Sequence, residues 1–401
     1  MLEISEAKKI ILENVGPMDC EMVHITNALD RVLAEDIVAD SDAPFRDNSA
    51  MDGFAVRAAD VAAASPDSPP RLEVIETIPA GAVPQLKVSP GQASRIMTGA
   101  LIPHGADAVV MVEDTSMSGE HDVLIMKPVG GKNHIRRAGE DVRAGEIVLS
   151  AGRILRPADI GMIATCGRIA VRVARRPVVG IFSTGDEIIA PDSPLSPGKV
   201  RNSNSFSIYA QCLRLGAVPR LLGIVPDVKS ELLPALMKAA AACDLILTTG
   251  GVSMGEYDEV RKTIESEGEL LFWKVRMKPG KPIVFGRIGG KPIFGLPGNP
   301  VSCMVGVELF VRPAILKMMG ASETDPQRLR GILEHDLKSG SRDELLRGVA
   351  RAEPSSYRLT AVSRQGSHIL SGMARANCLI HLPGSGSKVR KGEHLEFFFI
   401  A

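Results

Sequence analysis

Apolar runs of strand length alternate with longer segments of helical periodicity between residues 176 and 320. This alternation is typical of βαβ units and predicts a three-layer α/β domain around a mostly parallel sheet. The segment 301–319 is apolar on nearly all sides, which predicts a buried helix. We expect strands at 178–182, 221–225, 245–249, 270–275, 283–285 and 293–296, and further helices at 203–215, 228–242 and 256–267.

The segments on either side of this α/β domain have different patterns, so we expect a multidomain α/β protein. Residues 1–15 have the spacing of an amphipathic helix, and helical structure is expected to about residue 45. Short β-type runs between Pro and Gly turns predict a small inserted β domain at 46–145. A helix at 157–166 would complete an elongated N-terminal α/β domain made of residues 1–45 and 146–175. Short strands after a linker at 321–326 predict a C-terminal β-barrel domain at 326–401.

Composition and charge restrict the function classes. The 401 residues suffice for several domains, and the 47 basic and 47 acidic residues create no field that favours nucleic acid or an anionic membrane. Six cysteines without a close pair argue against a zinc site and a disulfide framework, and they favour a reducing compartment. No apolar stretch reaches the ~18–20 residues of a membrane span, and the N-terminus lacks the order of a signal peptide. We therefore expect a cytoplasmic protein that binds neither nucleic acid nor membranes.

Small or acidic residues follow three predicted strands of the α/β domain. The segments 177–187, 245–258 and 291–300 each run from an apolar strand into such a turn. The carboxyl ends of parallel strands share one sheet edge, where open α/β sheets bind ligands. Gly250, Gly251 and Gly255 would let the backbone approach an anion, although the loop matches neither the lysine-containing phosphate loop nor the dinucleotide fingerprint. The alternative is a set of tight turns between strands and helices.

Four carboxylates follow these strands or begin the next helix. Asp186, Glu187, Asp227 and Asp258 would repel one another at one sheet edge unless a cation neutralised them. Magnesium prefers oxygen ligands and retains waters and substrate phosphates, so it is the expected ion. Any one of these residues could instead cap a helix or interact with its dipole.

Cationic residues recur at every second position within the segment 273–282. On one extended strand, Lys274, Arg276 and Lys278 would point to the same face, because strand side chains alternate. Facing the carboxylates, this row would hold the anionic groups of a substrate. On an exposed sheet edge, the same residues would only oppose aggregation.

Polar side chains beside glycines also occur in the inserted domain. Asp52 precedes Gly53, Thr98 precedes Gly99, and Asp141 lies in an acidic turn. Such pairs are ordinary turn chemistry, so composition alone favours β-turns over a functional site.

Six segments, in order along the chain, carry a resemblance to a known family. They are 49–56 (SAMDGFAV), 97–100 (MTGA), 183–187 (STGDE), 249–258 (TGGVSMGEYD), 278–282 (KPGKP) and 296–300 (LPGNP). Together they resemble the successive signatures of the molybdopterin molybdenumtransferase family, which includes the bacterial MoeA proteins and the gephyrin E domain. The resemblance covers essentially the whole chain and extends into the last domain through Arg347-Gly348 and Gly366-Ser-His368.

The resemblance implies an enzyme that inserts molybdate into the dithiolene of adenylylated molybdopterin and releases AMP, forming the molybdenum cofactor. The metal ligands of a Mg²⁺ ion would be Glu187, Asp227 and Asp258. The catalytic residues would be Asp52, Thr98, Asp141, Glu187 and Asp258, the first three completing the site across a homodimer interface. The substrate-binding residues would be Gly250, Gly251, Ser253, Lys274, Lys278, Pro297, Gly298, Arg347 and Ser367.

The resemblance also implies partners. A separate molybdopterin adenylyltransferase would supply the substrate, and apo-molybdoenzymes or a cofactor chaperone would receive the product. Three alternatives stay open: a non-catalytic binding scaffold such as the gephyrin type, a tungsten-specific paralogue, and another nucleotide-processing enzyme.

Overall fold

The computed structural model of the chain describes residues 1–251, 259–384 and 386–400. The chain divides into two compact units. The main unit comprises Met1–Glu35, Gly152–Arg156 and Val171–Ala401, and the smaller unit comprises Asp36–Ala151 and Pro157–Ala170. No helix among the described residues is long and apolar enough to cross a membrane.

The N-terminal segment begins with the predicted amphipathic helix, α1 (Ile4–Glu13), and continues as the strand β1 (Cys20–His24). The side chains of Ala7 and Ile11 on α1 are fully buried. The expectation of helical structure to residue 45 is wrong, because Gly16 and Pro17 end the helix and the chain continues in extended form.

The smaller unit contains the predicted small β domain, a six-stranded sheet in the order β7-β4-β6-β5-β9-β8. Its core includes Phe54, Leu72, Val110 and Val123. The elements are β2 (Ile37–Val38), β3 (Asn48–Ser49), β4 (Gly53–Val56), β5 (Arg71–Ile78), β6 (Gln92–Ile96), β7 (Ala108–Met111), β8 (Thr115–Met117), β9 (Asp122–Ile125), β10 (Ile135–Arg136), β11 (Ile147–Leu149) and α2 (Pro157–Thr165).

The α/β part of the main unit follows. Its elements are β12 (Ala170–Ala174), β13 (Val178–Thr184), β14 (Ile188–Ile189), β15 (Val200–Arg201), α3 (Asn204–Arg214), β16 (Val218–Val225), α4 (Lys229–Ala242), β17 (Leu245–Thr249), α5 (Glu259–Glu267), β18 (Glu269–Trp273), β19 (Met277–Lys278), β20 (Val284–Ile288), β21 (Lys291–Leu296), α6 (Pro300–Gly306) and α7 (Arg312–Met318).

Six of these strands form one mixed sheet in the order β16-β13-β17-β21-β20-β18. The pairs β13–β16, β13–β17 and β17–β21 are parallel, whereas β20 pairs antiparallel with β21 and with β18. Helices α1, α3, α6 and α7 contribute to the core on one face of the sheet, and α4 and α5 contribute to the core on the other. A π-helical turn, Val307–Val311, joins α6 to α7, and its five side chains are buried, as predicted for this segment.

The predicted extended strand over 273–282 is wrong. Strand β18 ends at Trp273, and Lys274 has a φ of 77°, which turns the chain before the two-residue strand β19. Side chains can alternate about one face only while the backbone stays extended, so Lys274, Arg276 and Lys278 do not form a row.

The C-terminal part of the main unit is the predicted β-barrel. Strands β24-β25-β22-β28-β26 are paired in this order, and the pairing of β24 with β26 closes the barrel. The elements are β22 (Leu329–Leu333), β23 (Leu337–Lys338), β24 (Asp343–Glu353), β25 (Ser356–Ala361), α8 (Leu370–Arg375), β26 (Cys378–Leu382), β27 (Lys388–Val389) and β28 (His394–Phe399).

Candidate functional site

The carboxyl ends of four neighbouring parallel strands lie at one edge of the α/β sheet. Strands β16, β13, β17 and β21 are adjacent and parallel, and their last residues are Val225, Thr184, Thr249 and Leu296. The loops that follow them carry Asp227, Glu187, the pair Gly250 and Gly251, and the pair Pro297 and Gly298. We call this region the sheet-edge site.

Two glycines at the end of β17 allow a close approach between loops. Gly250 has a φ of 98°, and a Cβ atom there would lie 2.3 Å from the carbonyl oxygen of Thr184. Gly251 has a φ of 61°, and a Cβ atom there would lie 2.8 Å from Cγ2 of Val260 and 3.4 Å from Oδ1 of Asp227. Both positions therefore require glycine for conformation and for space.

Asp227 is half-buried beside this glycine turn. Its Oδ1 atom is inaccessible to solvent and has no hydrogen-bond donor among the described residues. Burial raises the pKa of the Asp227 carboxyl, the Thr184 hydroxyl partly offsets this effect, and the charges of Glu187, Asp186 and Glu259 raise the pKa further. The site therefore favours a proton or a cation at Asp227.

Glu187 belongs to the same region and is exposed. Its carboxylate folds back over the preceding turn, since a Cβ atom at Gly185 would lie 2.6 Å from Oε2 of Glu187. The carboxylates of Glu187 and Asp227 are thus electrostatic neighbours, as the pKa of Asp227 also indicates.

A cavity of about 520 Å³ opens at this edge. Its size lies within the range of small-molecule sites. It is lined by Ser183, Thr184, Glu187, Ile188, Val200, Arg201, Asn202, Ser203, Asn204, Thr249, Gly250, Gly298, Asn299, Pro300 and His368. Three predicted site residues, Glu187, Gly250 and Gly298, are among them.

A network of amides and hydroxyls supports one wall of the cavity. Ser183 donates to Oδ1 of Asn202 at 2.9 Å, and Oγ of Ser183 lies 2.8 Å from Oγ of Ser205. Asn204 donates to Oγ1 of Thr249 and to the carbonyl oxygen of Gly298, both at 2.8 Å. None of these residues except Gly298 is among the predicted site residues, although the run Asn202-Ser-Asn-Ser205 at the start of α3 is a visible signal in the sequence.

The C-terminal barrel contributes the loop that carries Ser367 and His368. The backbone N–H of Val301 donates to the carbonyl oxygen of Ser367 at 3.1 Å, so this loop contacts the start of α6. Arg347, on β24, is only 1% exposed, and its guanidinium donates to the carbonyl oxygens of Gly366 and Arg364 at 3.0 and 2.8 Å. Burial lowers the pKa of Arg347. Through its two hydrogen bonds to carbonyl oxygens, Arg347 holds the loop in place.

The two predicted lysines have other neighbours in the described part of the chain. Nζ of Lys274 lies 3.5 Å from the ring centroid of Trp273, a cation–π contact at the end of β18. Nζ of Lys278 lies 3.0 Å from Oε2 of the buried Glu344 at the base of β24. In the sheet, strand β20 lies between β18, which Lys274 follows, and β21, whose loop belongs to the sheet-edge site.

The smaller unit carries three predicted residues. Oδ1 of Asp52 accepts hydrogen bonds from the backbone N–H of Thr98 at 2.6 Å and from its hydroxyl at 2.8 Å. The backbone N–H of Thr98, and then its hydroxyl, hold the pKa of Asp52 below its ordinary value. Asp141 is exposed, and its backbone N–H donates to the carbonyl oxygen of Ala43. The structure thus brings Asp52 and Thr98 together.

Ser253, Gly255 and Asp258 lie outside the described residues. Within 1–251, 259–384 and 386–400, no three His, Cys, Asp or Glu side chains are grouped closely enough to hold a metal ion by themselves. Glu187 and Asp227 are the two predicted metal ligands that the structure describes.

Three family models match successive parts of the chain. Residues 2–167 match the MoeA N-terminal region (domain I and II). Residues 180–317 match a probable molybdopterin binding domain, and residues 330–400 match the MoeA C-terminal region (domain IV).

Individual relatives match over nearly their full length. The chain is 37% identical over 404 residues to a molybdopterin molybdenumtransferase from Bacillus subtilis, with coverage of 100% of this chain and 94% of the relative. It is 35% identical over 397 residues to a molybdopterin molybdenumtransferase from Haemophilus influenzae, with coverage of 98% and 97%. The crystal structure of a molybdopterin biosynthesis moeA protein from Pyrococcus horikoshii OT3 matches with a TM-score of 0.86 and 34% identity over 100% of both chains.

Proposed function

Because the chain belongs to the molybdopterin molybdenumtransferase family and inserts molybdenum in molybdenum cofactor biosynthesis, we propose that its substrate is adenylylated molybdopterin and that AMP is released. The observation that carries this proposal is the cavity at the sheet-edge site. Glycine turns there would let the backbone approach a ligand, the carboxylate of Glu187 lines the cavity, and Asp227 lies beside the glycine turn. The cavity volume of about 520 Å³ lies within the range of small-molecule sites.

The residues at the sheet-edge site fit a magnesium ion. Oδ1 of Asp227 is buried and lacks a donor among the described residues, and the carboxylate of Glu187 lies nearby. Carboxylate and hydroxyl oxygens are the ligands that Mg²⁺ prefers, with waters and substrate phosphates in the other positions. Glu187 and Asp227 would hold the ion, with Asp258 as a third proposed ligand. When bound, it would supply positive charge against the phosphates.

The remaining predicted residues keep their proposed roles. Molybdate is a dianion and needs cationic or N–H donors, which Lys274, Lys278 and the loop carrying Ser367 would provide. Lys278 would use the N–H donors that it does not direct at Glu344, and Arg347 would act by holding the loop. Asp52, Thr98 and Asp141 would position a water molecule or a proton. Ser253 and Pro297 would contact the substrate.

The test of the proposed function is a coupled assay. The purified protein, adenylylated molybdopterin, magnesium and molybdate are mixed, and AMP release is measured together with the activation of a cofactor-free molybdoenzyme. We expect AMP release in proportion to activation, and no AMP release from a sample without molybdate. Binding without turnover, under conditions in which a known transferase works, would contradict the proposal and indicate a scaffold. Turnover with tungstate alone would indicate the tungsten-specific alternative.

We propose that the enzyme is a homodimer that buries the β16 edge of the sheet. The strand is an outer strand, and it exposes Val218, Leu221, Leu222 and Ile224 by 37–42% each. Apolar side chains along an open strand edge favour association with another chain.

The other proposed partners are a separate adenylyltransferase, which supplies the substrate, and apo-molybdoenzymes or a cofactor chaperone, which receive the product.

The substitution Leu221→Glu is expected to weaken the dimer by about 100-fold or more, because a carboxylate would lose its hydration on association. Sedimentation velocity over a range of protein concentrations measures this change. Val83→Glu is the matched control, since Val83 is 65% exposed on the smaller unit and its replacement should leave the sedimentation unchanged. A monomeric wild-type protein at micromolar concentration would contradict the proposal.

A further inference from the structure

Asn204, the first residue of α3, joins two loops at the sheet-edge site. Its Nδ2 atom donates to Oγ1 of Thr249, at the end of β17, and to the carbonyl oxygen of Gly298, in the loop after β21. Both distances are 2.8 Å. One amide group therefore sets the spacing between the glycine turn after β17 and the loop after β21.

The hydrogen-bond partners determine the orientation of this amide. The carbonyl oxygen of Gly298 can only accept a hydrogen bond, so the atom that faces it must be Nδ2. The Thr249 hydroxyl accepts from the same nitrogen, while its own donor is directed at the carbonyl oxygen of Pro297 at 3.4 Å. Both amide hydrogens of Asn204 are thus committed. No described residue donates to Oδ1 of Asn204.

The uncommitted oxygen belongs to a residue that lines the cavity. A carboxylate at this position would also accept hydrogen bonds, but it would add negative charge beside Glu187 and Asp227 and could not donate to Gly298. A neutral amide supplies an acceptor without that repulsion. Because both hydrogens are held, the oxygen cannot exchange places with the nitrogen by rotation of the amide.

Building on the proposed function, we propose that Asn204 is a specificity-determining residue whose Oδ1 atom accepts a hydrogen bond from the 2-amino group of the pterin ring. A pterin presents donors at its 2-amino group and N3. A lumazine, in which an oxygen replaces the 2-amino group, keeps the N3–H donor but would place a carbonyl acceptor at position 2 against this fixed acceptor. A site built to hydrogen-bond a donor rejects the analogue that lacks it, because its own polar group is left unpaired.

The purely structural alternative is that Asn204 only holds the two loops together. Two substitutions separate the roles. Asn204→Ala removes both the donor and the acceptor, whereas Asn204→Asp keeps an acceptor of the same size and loses the donor to Gly298. A structural role predicts similar defects in the two variants. A recognition role predicts different ligand selectivity.

The experiment measures inhibition of the coupled assay by a 6-substituted pterin phosphate and by its lumazine counterpart. For the wild-type enzyme, we expect the pterin to inhibit at least about tenfold more strongly. Asn204→Ala should reduce this preference to less than about threefold and raise the KM for adenylylated molybdopterin by about tenfold or more. Asn204→Asp should keep the preference while its kcat and its melting temperature fall.

Three outcomes would overturn the proposal: equal inhibition of the wild-type enzyme by the two compounds, inhibition by neither, or a preference that survives in Asn204→Ala. A wild-type enzyme without AMP release would instead refute the proposed function, and the role of Asn204 with it. The melting temperatures of both variants, measured in parallel, separate a loss of recognition from a loss of folded protein.

Discussion

Replacing Gly250 by alanine is expected to lower kcat/KM by about 100-fold or more and to destabilise the protein by about 2–4 kcal/mol. Alanine at a φ of 98° is strained, and its Cβ atom would lie 2.3 Å from the carbonyl oxygen of Thr184. The Cβ atom and the carbonyl oxygen must move apart at this distance, so the end of β13 would separate from the turn after β17. Displacements of about 1 Å at a catalytic site can cost 100-fold in rate.

The measurement combines steady-state kinetics with urea unfolding, and Gly290→Ala is the control. Gly290 has a φ of 76°, but nothing lies within 4 Å of the position of a Cβ atom there. This variant carries the conformational strain without the steric clash, and it should lose only about 1 kcal/mol with kcat/KM unchanged. Equal activity losses in the two variants would show that the close approach of the loops is not what matters.

Asp227→Asn is expected to lower kcat by about 100-fold or more and, at neutral pH, to raise the melting temperature. The lower kcat follows from the removal of a proposed metal ligand. The higher melting temperature follows from the raised pKa of Asp227, since burial and then neighbouring carboxylates disfavour its ionised form in the folded state. An asparagine has no charge to desolvate. Function and stability would therefore change in opposite directions at this position.

The pH dependence of the stability gives the sign of the contribution that Asp227 makes to folding. The pKa of Asp227 in the folded protein lies above its ordinary value of 3.8, so ionisation opposes folding at higher pH. The free-energy cost of ionising Asp227 is fully present above the folded-state pKa. It disappears as the pH falls through that pKa and then through the pKa of Asp227 in the unfolded chain. The stabilisation by Asp227→Asn should shrink over the same interval.

Thermal unfolding from pH 3 to pH 8 measures this difference, with the exposed Asp192→Asn as the control. Magnesium should raise the melting temperature of the wild-type protein and of Asp192→Asn, but not that of Asp227→Asn. A magnesium response in Asp227→Asn equal to that of the wild-type protein would remove Asp227 from the metal site. A stability difference that grows as the pH falls would contradict the raised pKa.

Sequence reasoning was most successful where one pattern repeats over many residues. The strands ending at Thr184, Thr249 and Leu296 were predicted from apolar runs, and their common sheet edge followed from parallel βαβ connections. The buried helix after Pro300 was predicted because it has no polar face. Such features depend on local periodicity and general rules of connection, so the sequence contains them.

The misplaced cationic residues have one physical cause in common. The turn at Lys274 and the contact of Lys278 with Glu344 depend on what surrounds the chain, and no periodicity within 273–282 encodes them. Likewise, the placement of Arg347 beneath the loop of Gly366 results from closure of the barrel. A charge pattern indicates which residues can bind anions, but not which of them already have partners.

By itself, the sequence determined the family, the α/β domain and the positions of the glycine and carboxylate loops, because motifs and periodicity are properties of neighbouring residues. Only the tertiary structure decided that Gly251 approaches Asp227, that one oxygen of Asp227 lacks a described donor, and that Asn204 joins the loops of Thr249 and Gly298. These contacts join segments that are distant along the chain. They exist only after the strands have paired and the core has closed, so no local pattern could specify them.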